Sequence, residues 1–106
     1  MARDQPTTAD AASATETYAV TAESRTETHT VVEARDFSFT VDEPTDVGGT
    51  NAGPTPVEYL LGALAGCLNV VGHQVAAEQG LTVRTIEIDL EGTIDPRKFL
   101  GEGCDD

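Results

Sequence analysis

Residues 55–80, TPVEYLLGALAGCLNVVGHQVAAEQG, constrain the fold more than any other stretch of the chain. Thr55 is a helix N-cap, Pro56 takes the first helical position where a missing N–H does no harm, and Glu58 completes a capping box. Gly80 is the stop signal. Between them Val57, Leu60, Leu61, Leu64, Cys67, Leu68, Val71 and Val75 recur at helical spacing. The other side is small: Gly62, Ala63, Ala65, Gly66, Gly72, Ala76 and Ala77. A helix that is apolar or small nearly all round predicts burial, and its length of about 35 Å would cross a small domain. Other elements are therefore expected to wrap it. Glu58, Asn69, His73 and Gln74 interrupt the stretch, which argues against a membrane span of about 20 apolar residues. Taken alone, Cys67 reads as a small buried hydrophobe.

A chain of 106 residues supports one domain with a modest core. Its 19 Asp plus Glu against 6 Lys plus Arg give a net charge of −13, which repels nucleic acid and anionic membrane alike. Such an excess suits a cytoplasm rich in salt, where screening removes the self-repulsion. Stability is accordingly expected to rise with salt, because the Debye length shrinks from about 10 Å at 0.1 M to about 3 Å at 1 M. Thermal melting in a potassium chloride series checks this; a melting temperature unchanged between about 0.1 M and about 2 M would give the acidity another cause. Two cysteines without a secretion signal or lipid-anchor motif predict a reducing, cytoplasmic setting.

In chain order, residues 1–16 are rich in Ala, Thr and Asp, and are expected to be a disordered tail ahead of a domain at 17–106. Tyr18, Val20 and Ala22, then Thr28, Thr30, Val32 and Ala34, then Phe37, Phe39 and Val41 alternate at period two. With breaks near Ser24–Thr26 and at Asp36 they predict an antiparallel meander. Residues 42–54, DEPTDVGGTNAGP, form a loop. Their glycines spell neither phosphate-binding pattern, so turn formation explains them. After the helix, residues 81–92 alternate like a half-buried strand, and 93–106 run into turns and an acidic end. That last strand has no visible return partner, so the chain is expected to be shorter than the fold it represents.

The run DEPTDVGGTNAGPTPVEYLLGALAGCLNV, followed by AAEQGLTV and EGTIDPRKFLG, resembles the OsmC/Ohr family of osmotically induced and organic hydroperoxide resistance proteins, in its OsmC-like branch. The likeness spans about 31–101 and rests on T-P-x-E, an apolar helix and A-x-C-L at fixed spacing. It implies an α+β fold in which antiparallel sheet wraps a long central helix, assembled as an intertwined homodimer. It also implies reduction of hydroperoxides by a helix cysteine that becomes sulfenic acid and is captured by a resolving cysteine.

By that resemblance Cys67 is the peroxidatic residue. A thiolate attacks peroxide, so the thiol needs a cation nearby and an apolar pocket for the substrate. Cys67 lies too far from the helix start for the dipole to serve. The family supplies an arginine from before the helix, and Arg35 or Arg25 takes that role here. Glu58 is a second candidate catalytic residue, although Val57 directly follows the proline where the peroxidases place their glutamate; the capping box explains Glu58 on its own. His73 is roughly 120° round the helix from Cys67. It forms neither a dyad nor a metal set with it, and His29 with Cys104 adds no ligand spacing, so neither metal nor other cofactor is expected. Cys104 precedes Asp105 in an acidic end, unlike the family's resolving cysteine. The expected partners are a small hydroperoxide, a thiol reductant and a second copy of the chain. The competing expectation is a non-catalytic binding or structural member, or an inactive fragment.

Overall fold

The computed structural model describes residues 14–95. The expected disorder of 1–16 and the placement of Cys104 thus lie wholly or largely outside the described residues. The elements are β1 (Thr21–Ser24), β2 (Thr30–Ala34), β3 (Phe37–Val41), a 3-10 turn at Thr45–Val47 and helix α1 (Pro56–Glu78). The strands form an antiparallel meander in the order β1-β2-β3, as the period-two runs predict. β1 begins later than expected, leaving Tyr18 and Val20 outside the ladder. Its turn is closed by Thr26, whose Oγ1 accepts the N–H groups of Thr28 (3.2 Å) and His29 (2.9 Å). Ala34 pairs with Phe37 across a two-residue turn in which Arg35 takes φ 56, a left-handed backbone that costs a non-glycine residue about 1 kcal/mol.

Both ends of α1 form as the sequence dictates. Thr55 Oγ1 accepts Glu58 N at 3.1 Å, and Glu58 Oε1 accepts Thr55 N at 2.9 Å, so the capping box is reciprocal. At the other end Gly80, with φ 73, donates to Ala77 O (3.1 Å) while Leu81 N reaches Ala76 O (2.8 Å), a Schellman closure.

Two expectations are corrected. First, α1 is not buried within the single chain: Leu60, Leu64, Leu68, Val71 and Val75 are 43–71% exposed, and Ala76 alone is buried along the helix. The reason is supply, since a three-stranded meander and one extended segment cover only Val57, Tyr59, Leu61, Ala65, Gly72, His73 and Ala76, most of them in part. Nor do its polar residues break the apolar run as expected. With a mean hydropathy of 1.5 the helix is long and apolar enough to cross a membrane, a test that core helices also pass.

Second, residues 81–92 join no β-ladder among the described residues. They run back along α1 instead. A Cβ on Gly72 would sit 2.9 Å from Ile86 Cδ1, and one on Gly92 3.7 Å from Leu61 Cδ2. From Leu61 to Gly72 the helix rises about 16 Å, so residues 86–92 advance at nearly 3 Å each, roughly the pitch of an extended chain. Ile86 and Ile88 are half-buried, as the alternation requires. No strand neighbours them among the described residues.

Candidate functional site

The loop from Asp42 to Pro54 sets where α1 begins. Asp42 N donates to Pro54 O (3.0 Å), which closes the loop at its two ends. Its interior is tied by Gly49 N to Pro44 O and Asn51 N to Glu43 O, both 2.9 Å. Gly49 and Gly53 permit two close approaches: a Cβ would lie 2.0 Å from Glu43 O at the first and 2.4 Å from Thr40 O at the second. Packing of backbone on backbone, not phosphate binding, accounts for these two glycines.

At the centre of the loop is the carboxylate of Asp42, which is fully buried. It accepts Glu43 N (2.7 Å), Thr50 N (3.3 Å), Ala52 N (3.0 Å) and the Thr50 hydroxyl. The Thr50 hydroxyl, opposed by burial and aided by the Thr28 hydroxyl and the Ala52 and Glu43 amides, holds this carboxyl well below the usual carboxylate range. The folded protein therefore binds this proton more weakly than the unfolded chain does. Asp42's contribution to stability is complete above its unfolded value of 3.8 and is lost as pH falls from there toward the folded value. Acidification from about pH 4 to about pH 2 should accordingly destabilise the wild type more than Asp42→Asn. Parallel melting curves for the two proteins would contradict this.

Beside the loop, Tyr59 joins helix to sheet. Its hydroxyl donates to Thr40 O (2.7 Å), and its ring lies 5.0 Å from that of Phe39 at 39°. An open cleft of about 660 Å³ lies there, lined by Phe39, Pro54, Glu58, Tyr59, Gly62 and Ala63. The wall is predominantly apolar. Cys67 is one turn beyond Ala63, about 6 Å along the axis and roughly 40° round it. It is a free, exposed thiol. The profile of the OsmC-like protein family matches residues 49–105, more than half of the chain and including Cys67. The chain belongs to the OsmC-like family. No curated protein matches its sequence.

This OsmC-like protein brings no two of the four sequence-derived candidates into contact among the described residues. Among the described residues no hydrogen bond, ion pair or ring contact joins Cys67 to Arg25, Arg35 or Glu58. Arg25 is paired with Glu23 on the exposed sheet. Arg35 stacks its guanidinium 5.0 Å from the centre of the Phe37 ring and carries no carboxylate partner among the described residues. Glu58 is spent on the cap, and nine helical positions put it on the far side of α1 from Cys67, about 13 Å down the axis. No group of three metal-ligating side chains occurs among the described residues. Sequence reasoning missed Asp42 and Tyr59. The signal for Tyr59 was available, a lone aromatic in a helix otherwise built from Leu, Val, Ala and Gly.

Proposed function

We propose that this OsmC-like protein is a cysteine-dependent peroxidase that reduces organic hydroperoxides in oxidative stress defence. The observation that carries the reading is the free thiol of Cys67, one turn along α1 from an apolar cleft. The Cys67 thiolate attacks the outer oxygen of the hydroperoxide, forming an S–O bond as the O–O bond breaks; the alkoxide takes a proton and leaves as alcohol. Cysteine is oxidised to sulfenic acid and the peroxide is reduced by two electrons. A thiol then condenses with the sulfenic acid to a disulfide with loss of water, and a second thiol regenerates Cys67. Both electrons come from thiols, so the cycle calls for no bound cofactor.

Arg35 is the cation assigned to the thiolate, because Arg25 is paired with Glu23 while Arg35 has no carboxylate partner among the described residues and is held on a strained turn. Glu58 serves the helix start and the rim of the cleft. The lack of any contact between Cys67 and either arginine among the described residues favours one alternative, a member that binds apolar small molecules without turnover. Alkylation kinetics at neutral pH divide the two: rapid, selective modification of Cys67 supports the peroxidase, and inertness supports the binding protein.

The working unit in this proposal is a cytoplasmic homodimer. The exposed stripe of Leu60, Leu64, Leu68, Val71 and Val75 bears no charge, so a second copy could cover it without bringing like charges together. Sedimentation at high salt should show a dimer; a folded monomer as the only species would refute that assembly.

A further inference from the structure

We infer that Asp42 is a positioning residue for the cleft, holding Pro54 and the first turn of α1 against β3. The inference rests on the peroxidase reading and deepens it by seating the hydroperoxide's apolar group in that cleft. Three contiguous residues, Thr40 to Asp42, hold both the loop and the cleft wall. Thr40 O accepts the Tyr59 hydroxyl (2.7 Å), and Gly53 packs against the same carbonyl. Asp42 N holds Pro54 O, while its carboxylate gathers Glu43, Thr50 and Ala52. Phe39, Pro54 and Tyr59 are therefore set by one clamp.

The choice of a carboxylate has a physical consequence. Every group aimed at Asp42 is a donor or a hydroxyl acting as one, so an anion satisfies all of them. An amide of the same shape turns an N–H₂ toward N–H groups and leaves donors unmet. Loss of the charge would release residues 50–54 and, through Pro54, the start of α1. Cys67, about three turns further on, would keep its backbone support.

The test compares wild type with Asp42→Asn and the milder Thr50→Val, which removes one donor and retains a β-branched shape. Amide exchange at Asn51, Ala52, Glu58 and Tyr59 should accelerate about tenfold in Asp42→Asn and less in Thr50→Val, with Val71 and Val75 within about twofold of wild type. In steady-state assays with cumene hydroperoxide, KM should rise about tenfold with kcat nearly unchanged. Unaltered exchange at Glu58 and Tyr59 in both variants would overturn the inference, as would a fall in kcat at constant KM. If Asp42→Asn fails to fold, Thr50→Val alone decides by the same amides. A wild-type protein that consumes no hydroperoxide would sink the peroxidase reading separately; faster exchange at the helix start would still support the clamp, and unchanged exchange would overturn it.

Discussion

Cys67→Ser is expected to reduce hydroperoxide consumption by roughly 10³-fold or more, because the nucleophile is removed outright and no thiol lines the neighbouring cleft to replace it. A serine hydroxyl stays protonated at neutral pH and is a far poorer nucleophile toward a peroxide oxygen than a thiolate. The fold should survive: the side chain is exposed on α1 and makes no hydrogen bond among the described residues, so the isosteric change removes nothing structural. Cys104→Ser should affect the first turnover less, since the initial attack needs only Cys67. A coupled peroxide assay in which Cys67→Ser matched wild type would end the proposal.

Gly49→Ala should cost about 3 kcal/mol or more, read from urea denaturation as a large loss of midpoint. The new Cβ would lie 2.0 Å from Glu43 O and 2.5 Å from Glu43 C, atoms of the backbone that have no rotamer to move into. Shifting them breaks the bond from Asn51 N to Glu43 O (2.9 Å) and disturbs the amide that Asp42 accepts from Glu43 (2.7 Å). Gly66→Ala is the matched control. Nothing lies within 4 Å of its added Cβ, so the single chain should gain up to about 1 kcal/mol from helix propensity. If Gly49→Ala unfolds at the wild-type midpoint, the close-packed account of the loop is wrong.

The features legible in the sequence are those decided by local chemistry. Thr55, Pro56 and Glu58 specify the start of α1 and Gly80 its end through bonds made within a few residues. The meander follows from period-two runs separated by short turns. Residues 81–92 mark the limit of that logic. Their alternation correctly turns Ile86 and Ile88 toward the helix, but a ladder needs a second strand, and no pattern within a strand says where its partner comes from. The apolar character of α1 was likewise readable as a demand for cover, not as proof that this chain supplies it.

The candidate site was only partly legible for a related reason. Cys67 stood out by the family pattern, since its helix position alone reads as a small buried hydrophobe, whereas the thiol is exposed. Arg35 lies beside the segment that carries the family likeness, but the sequence left both arginines open, and side-chain contacts two residues away separate one paired with Glu23 from one stacked on Phe37. Asp42 was hidden among turn-forming residues, because an Asp before a Pro- and Gly-rich loop reads as ordinary turn chemistry. Its burial arises when residues ten positions later fold back onto it.

The most direct test of Cys67 as the peroxide-reducing nucleophile is mass spectrometry of the reduced protein after one equivalent of cumene hydroperoxide in the presence of dimedone, which traps sulfenic acid. The account predicts a dimedone adduct on the peptide containing Cys67, formed together with an equal amount of cumyl alcohol. Peroxide left unconsumed, or alcohol formed while the Cys67 peptide stays unmodified, would contradict it.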